Sequence, residues 1–253
     1  MTDRILDISQ RSAYLKVRYG QLLLDFAGEE TVSVPLSDIA VLVVAHPQVT
    51  YTQAVLAGLA KAGGVFVGCD EDHVPALMLL PLQSNYVVVE RFARQAEAAW
   101  PVKKRLWQQI VRAKVAAQGE LLRTLGRDAA AFDVLMDKVR SGDPSNVEAQ
   151  ASRRYWPALF GESFRRNREA ADQNRLLNYG YAVLRATVAR AVCAAGLHPA
   201  LGLHHHNKYS GFPLADDLME PFRPLVDRAV TPGAAARGKV SLTPVPRRPS
   251  WAR

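Results

Sequence analysis

The 253-residue sequence predicts an α+β protein, in which a small β-rich, sandwich-like N-terminal domain precedes an all-α domain. Up to about residue 80, short apolar runs rich in β-branched residues alternate with turn-forming residues, as is typical of strands. From about residue 85, apolar residues recur at three- and four-residue intervals, as is typical of helices. We therefore expect a β-rich domain at residues 1–80, a linker at 81–87, a helical domain at 88–230 and a disordered basic tail at 231–253.

The N-terminal domain should contain seven strands and one helix. We predict strands at residues 4–8, 13–18, 21–26, 31–35, 38–44, 65–69 and 76–80, and their spacing favours a small antiparallel sheet or sandwich. A helical pattern covers residues 50–61, where Thr50 can cap the start and Gly63 can end the helix. A helix between strands also suits dinucleotide-binding folds, but no G-x-G-x-x-G motif opens this one.

Helices should dominate the second part of the chain, at residues 86–99, 102–124, 128–140, 145–159 and 174–195. The last segment has the clearest apolar stripe: Leu177, Tyr181, Leu184, Val188 and Val192. After a patterned stretch at 222–230, residues 231–253 contain four Pro, five Lys or Arg and no acid. This composition predicts disorder, and its abrupt onset suggests a helical domain that has been shortened or replaced.

The net charge of +8 belongs to the second part of the chain. Residues 1–80 hold five basic and nine acidic residues, whereas the remainder holds 27 basic and 15 acidic residues. This asymmetry favours a polyanionic partner for the second part, although a solvated basic surface is the simpler alternative.

The longest apolar run, at residues 39–45, is far shorter than the roughly 20 residues that cross a membrane, so we predict a cytoplasmic protein.

Residues 202–220 combine imidazoles and carboxylates densely enough to suggest a metal site. Three histidines are consecutive and cannot all point to one place from a regular backbone: His204, His205 and His206. A helix that starts near Pro213 carries three nearby acids: Asp216, Asp217 and Glu220. Acids in a first helical turn also simply stabilise the helix dipole, so the pattern leaves both interpretations open.

Glu148 could supply a ligand from another part of the chain. It lies in the segment Ser145-Asn146-Val147-Glu148, and Ser-x-x-Glu is also the signature of a capping box. In a capping box, Glu148 would accept a hydrogen bond from the backbone N–H of Ser145 and would not be available to a metal. The motif alone favours the cap.

Three stretches in this order resemble the CRISPR-associated spacer-integration nuclease family, the catalytic subunit of the adaptation complex. They are residues 147–161, residues 174–181 and the segment Gly202-Leu203-His204-His205-His206-Asn207 with residues 212–224. The resemblance extends over residues 1–230. The His-His-Asn and Ala-Asp-Asp-Leu-Met-Glu-Pro sequences look most like the variants that accompany type II systems.

The resemblance implies that Glu148, His205 and Glu220 hold one Mg²⁺ or Mn²⁺ ion, with Asp217 as a possible auxiliary acid. Two carboxylates and one imidazole suit such hard cations, and no thiolate is present to favour zinc. The implied reaction is attack by the 3′-hydroxyl of a DNA fragment on the repeat end of a CRISPR array. This transesterification needs no ATP, and the same centre can act as an endonuclease.

The resemblance also implies partners: double-stranded DNA fragments, CRISPR repeat DNA, a second copy of the chain bound through the β domain, a small CRISPR-associated adaptation subunit and a type II effector nuclease. Candidate phosphate-contacting residues are Arg153, Arg154, Arg165, Arg166, Arg168, Lys208 and Arg223. A catalytically impaired DNA-binding scaffold of the same complex is the alternative function, because the helices that the family carries after residue 223 are not evident here.

Overall fold

The computed structural model describes residues 4–71, 75–82, 88–170, 172–205 and 211–231. Most of the predicted linker, the predicted tail beyond residue 231, His206 and Lys208 lie outside the described residues.

Two four-stranded sheets form the N-terminal part of the protein. Their strands are β1 (Arg4–Ile8), β2 (Tyr14–Arg18), β3 (Gln21–Asp25), β4 (Val32–Pro35), β5 (Ile39–Val44), β6 (Thr50–Tyr51), β7 (Val65–Cys69) and β8 (Pro75–Leu79). One sheet has the order β1-β5-β7-β8 and the other the order β4-β3-β2-β6. A helix, α1 (Gln53–Lys61), lies between β6 and β7 in sequence.

The first sheet is mainly parallel, whereas the strand spacing favoured a small antiparallel sheet or sandwich. β1 pairs with β5 and β5 with β7 in parallel, and β8 alone in this sheet is antiparallel to its neighbour. Helix α1 lies on the connection from β5 to β7, and such a crossover permits parallel pairing. In β5, Leu42 and Val44 pack into the core with the second sheet, while Val41 and Val43 pack into a core on the opposite face. Every residue of β5 is therefore buried.

Helix α1 begins three residues later than its predicted start at Thr50. Thr50 belongs to β6 and pairs with Tyr14 of β2, so strand pairing prevails over helix propensity at this position. Thr52 stands at the N-cap without a side-chain hydrogen bond.

Seven further helices follow: α2 (Val88–Ala96), α3 (Trp100–Thr124), α4 (Ala130–Lys138), α5 (Val147–Phe160), α6 (Gln173–Ala194), α7 (Pro213–Met219) and α8 (Arg223–Val230). A 3₁₀ turn, Glu220–Phe222, joins α7 to α8. These helices confirm the predicted α+β class. No helix within the described ranges is long and apolar enough to span a membrane.

Helix α6 connects the two parts of the molecule. Its Ala186 is buried against Val41, Val43 and strand β7 of the parallel sheet. Near its C-terminal end, Arg190 donates a hydrogen bond from Nε to the carbonyl oxygen of Gly63 at 2.7 Å. Two separate cores fill the helical part, one among α3, α4 and α5 and one around Leu177 and Tyr181 of α6. The candidate site lies where α3, α5 and α7 meet.

Candidate metal centre

Helix α3 brings a lysine into the interior of the protein. Its buried face carries Val111, Val115 and Leu122, and Lys114 lies on the same face with only 8% of its surface exposed. The Nζ atom lies 2.6 Å from Glu148 Oε1 and 2.6 Å from Glu220 Oε2. Burial lowers the pKa of Lys114, but the nearby charges of Glu220 and Glu148 outweigh burial and raise it above its ordinary value. Lys114 is therefore a charged ammonium between two carboxylates.

Glu148 is available to the site because other residues cap its helix. The side chain of Asn146, the N-cap of α5, accepts a hydrogen bond from the backbone N–H of Ala149. Asp143 accepts hydrogen bonds from the backbone N–H groups of Val147 and Glu148 at 2.9 and 3.0 Å. The capping-box interpretation was thus wrong, and the Glu148 side chain extends to Lys114 instead.

Glu220 is almost completely buried and faces two cations. Arg223 donates from Nε to Glu220 Oε1 at 2.9 Å, and Lys114 Nζ lies beside Oε2. Burial raises the pKa of Glu220, but Lys114 and Arg223 more than compensate and hold it below its ordinary value. Glu220 is therefore ionised, and its carboxylate is bracketed by positive charge.

Asp217 organises the histidine loop from the interior of α7. Its side chain is fully buried and accepts backbone hydrogen bonds from Leu203 at 2.6 Å, His204 at 3.1 Å and His205 at 3.1 Å. Burial raises the pKa of Asp217, but the His205 ring and these backbone groups outweigh burial and lower it. With this many donors directed at it, Asp217 fits a role in holding the loop better than one as a metal ligand.

His205 is oriented by Asp217 and lies in the field of both glutamates. Its Nδ1 is 2.6 Å from Asp217 Oδ1, and because the aspartate is ionised, Nδ1 carries the proton and donates it. This hydrogen bond raises the pKa of His205, burial opposes the rise, and the charges of Asp217, Glu220 and Glu148 add to it. In the neutral imidazole, Nε2 is then the nitrogen with a lone pair for a metal, as in many carboxylate-oriented histidine ligands.

The neighbouring candidates point elsewhere. The ring of His204 stacks on Trp107, with centroids 4.2 Å apart and planes inclined by 5°. Asp216 Oδ1 lies 2.6 Å from Nε of Arg185 on α6. The acids at 216, 217 and 220 therefore contact different groups, and among them Glu220 faces Glu148 through Lys114.

The donor set suits a hard divalent cation in its chemistry, since it offers two carboxylates and an imidazole. Glu220 Oε2 is buried and accepts no hydrogen bond of normal geometry, although the Lys114 ammonium lies beside it. At the same time, within the described ranges no three His, Cys, Asp or Glu side chains form a group that could hold a metal ion. The Lys114 ammonium lies between Glu148 and Glu220, which is where a metal ion bound by both glutamates would have to lie. The ligand set of Glu148, His205 and Glu220 stays a prediction.

The candidate phosphate contacts fall into two groups. The side chains of Arg153, Arg154, Arg165 and Arg168 are exposed. Arg166 instead donates to the side-chain oxygens of Asn174 and Asn178, and Arg223 is committed to Glu220. The exposed group is therefore better placed to meet DNA.

Two buried features were missed from the sequence. Lys114 interrupts the apolar stripe of α3 between Val111 and Val115, and a charged residue at such a position signals a buried partner. Asp227 of α8 accepts hydrogen bonds from the hydroxyls of Tyr155, at 2.7 Å, and Tyr181. Burial raises the pKa of Asp227 to about 6, against the effect of these two hydrogen bonds. No local pattern joins these three residues.

The protein has a β-rich part joined to a helical part, in which Glu148 of α5 and Glu220 of the 3₁₀ turn approach the same lysine. This combination is found in a known protein family. The family model described as CRISPR associated protein Cas1 matches residues 6–240. The chain therefore belongs to the Cas1 family of endonucleases and integrases.

Similar proteins agree with this assignment. The chain is 42% identical over 247 residues to the CRISPR-associated endonuclease Cas1 of Neisseria meningitidis, covering 96% of this chain and 80% of that protein. It is 30% identical to a CRISPR-associated endonuclease Cas1 of Thermus thermophilus, covering 89% and 74%.

Solved structures show the same fold at low sequence identity. A casposase bound to integration product has a TM-score of 0.73 at 21% identity, covering 92% of this chain and 73% of that one. A Cas1 protein from Thermotoga maritima has a TM-score of 0.73 at 17% identity, covering 90% and 77%. A chain from a Cas6-RT-Cas1–Cas2 complex has a TM-score of 0.72 at 18% identity, covering 94% and 28%.

Proposed function

We propose that this chain is a cytoplasmic, divalent-metal-dependent DNA endonuclease and integrase that inserts DNA fragments into a CRISPR array. Glu148, His205 and Glu220 hold Mg²⁺ or Mn²⁺ in this proposal. The observation that carries it is the convergence of two glutamates, one from helix α5 and one from the 3₁₀ turn after α7, within 2.6 Å of the same Lys114 nitrogen. His205 is fixed beside them by Asp217.

The reaction is attack by a DNA 3′-hydroxyl on a phosphodiester of the CRISPR repeat, which forms one P–O bond and breaks another. A bound divalent ion supplies charge stabilisation for the phosphoryl and leaving oxygens. The protein contributes orientation: Asp217 fixes the tautomer of His205, and Arg223 fixes one oxygen of Glu220. With water as the nucleophile, the same arrangement hydrolyses DNA.

DNA binding in this proposal uses the exposed arginines near the site, which are Arg153, Arg154, Arg165 and Arg168. Such contacts position the phosphate backbone without distinguishing bases. Similar solved structures include a casposase bound to integration product and a Cas1–DNA complex, which supports DNA as the substrate of this chain.

We also propose that the chain acts as a homodimer through its N-terminal sheets and binds a small adaptation subunit. A Cas1–Cas2 assembly among the similar structures supports a subunit of the Cas2 type. Recruitment of a type II effector nuclease rests on the resemblance of residues 202–224 to type II variants.

A strand-transfer assay with a short DNA duplex and a repeat-containing target, in Mg²⁺ or Mn²⁺, tests the proposal. We expect Glu148→Ala, His205→Ala and Glu220→Ala to lose product by roughly a thousandfold or more, as expected when transition-state stabilisation is lost. His204→Ala is the matched control and should retain most activity. Circular dichroism must show that each variant is folded.

Full integration by folded Glu220→Ala protein would contradict the proposal. A wild-type chain that binds duplex DNA but yields no metal-dependent product would instead support the scaffold alternative.

A further inference from the structure

The charges of Glu148 and Glu220 are paired with those of two basic residues. The ion pairs form a continuous chain in the order Glu148, Lys114, Glu220, Arg223. Lys114 and Glu220 are buried, whereas the Arg223 and Glu148 side chains keep 21% and 24% of their surface exposed. An unpaired buried charge is costly, so these ion pairs stabilise the two carboxylates.

A divalent ion would disturb this balance. It needs oxygen atoms from the same two carboxylates, and Lys114 lies between them at 2.6 Å from each. An ammonium and a divalent cation at such a separation repel strongly in a buried setting. Coordination through the two oxygens that face Lys114 therefore requires Lys114 to release at least one carboxylate.

We propose that Lys114 is an internal counter-cation: it holds Glu148 and Glu220 when no metal is bound and competes with the metal for them. The inference rests on the proposed function, since it assumes that these glutamates bind the metal. Lys114 is thus a positioning residue that keeps the ligands in place and sets the metal concentration at which the site fills.

Metal affinity and metal-free stability test this role without an activity assay. Mn²⁺ binding to the full chain would be measured by electron paramagnetic resonance of free Mn²⁺, and melting temperature would be measured in EDTA. The variants are Lys114→Met, which removes the charge, Lys114→Arg, which keeps it, and Glu220→Gln, which removes a ligand.

We expect Lys114→Met to bind Mn²⁺ at least roughly tenfold more tightly than the wild type, while Lys114→Arg stays within about threefold. In EDTA, Lys114→Met should melt below the wild type, because two carboxylates lose their shared counter-charge, and saturating Mn²⁺ should close this difference. Equal or weaker Mn²⁺ binding by folded Lys114→Met would overturn the proposal.

The two proposals fail in different ways. If Glu220→Gln binds Mn²⁺ as tightly as the wild type, the metal site itself is misplaced. If Glu220→Gln loses binding but Lys114→Met gains none, only the role of Lys114 is wrong.

A second variant covers the case in which Lys114→Met does not fold in EDTA. The double variant Lys114→Met/Glu148→Gln removes one charge of each sign and leaves Glu220 paired with Arg223. Its melting temperature in EDTA should recover most of the loss, and failure to recover would overturn the counter-cation role. Lys114→Gln, whose neutral amide can still donate to a carboxylate, then serves for the Mn²⁺ measurement.

Discussion

Removal of the Asp217 carboxylate should loosen the histidine loop far more than removal of the adjacent Asp216 carboxylate. Asp217→Ala leaves three backbone N–H groups and the His205 Nδ1–H without their acceptor. A buried donor without a partner costs about 1–3 kcal/mol. Four such donors sum to at least about 4 kcal/mol. Because the loop is only partly buried and water can reach some donors, we expect a smaller total loss of about 3 kcal/mol.

Asp216→Ala is the matched control, since it makes the same substitution one residue earlier in the same helix. Arg185 on α6 pairs with Asp216 and has 38% of its side chain exposed, against 11% for Asp216, so solvent weakens the ion pair from the arginine side. A pair that is open to solvent on one side contributes about 1 kcal/mol. Asp216→Ala should therefore be much the milder of the two substitutions.

Thermal and urea unfolding, followed by circular dichroism, measure both variants. At roughly 2–4 °C per kcal/mol for a chain of this size, Asp217→Ala should lower the melting temperature by about 6–12 °C and Asp216→Ala by less than about 4 °C. Mn²⁺ affinity should fall for Asp217→Ala, because His205 loses its orientation. Equal destabilisation by the two substitutions would refute the assignment of Asp217 as the anchor of the loop.

Three further predictions concern stability and DNA binding. Because folding raises the pKa of Asp227 to about 6, the folded state holds its proton more tightly than the unfolded state, and stability falls as pH rises from about 4 to about 6. The Asp227→Asn variant cannot titrate at this position and so does not lose this stability. In urea unfolding, the free energy of unfolding of the variant minus that of the wild type should rise by about 3 kcal/mol between roughly pH 4 and pH 7. A difference that stays constant with pH would contradict the raised pKa of Asp227. Gly180→Ala should lower the free energy of unfolding by about 1–3 kcal/mol, although alanine has the better helix propensity, because a Cβ at this position would lie 2.4 Å from Val226 Cγ1. A gain in melting temperature would refute this close packing of α6 and α8. Replacement of Arg153 and Arg154 by Gln should weaken binding to duplex DNA irrespective of the DNA sequence. In fluorescence anisotropy, the slope of log affinity against log salt concentration should become shallower by about 1–2. An unchanged slope would exclude phosphate contacts by these residues.

Much of the fold follows from local pattern. Apolar alternation and helical spacing placed most strands and helices within two or three residues of their observed bounds, and the predicted class is confirmed. Strand pairing was harder to predict, because the choice between parallel and antiparallel neighbours depends on contacts between distant segments. Thr50 illustrates the problem, since its pairing with Tyr14 moved the start of α1.

The candidate site was predicted by family resemblance more than by local chemistry. Ser145 and Glu148 fit a capping box, and only the structure shows that Asn146 and Asp143 cap the helix instead. Lys114 carried a usable signal, a charge within an apolar stripe, but its partners lie 34 and 106 residues away in the sequence. Spacing alone could not identify them.

The metal site can be located by anomalous scattering from crystals soaked with Mn²⁺. We predict one strong peak at about 2.1 Å from carboxylate oxygens of Glu148 and Glu220 and from Nε2 of His205, with Lys114 withdrawn from at least one glutamate. A peak at another location, or an unoccupied site with Lys114 still bridging both glutamates at saturating Mn²⁺, would contradict this prediction.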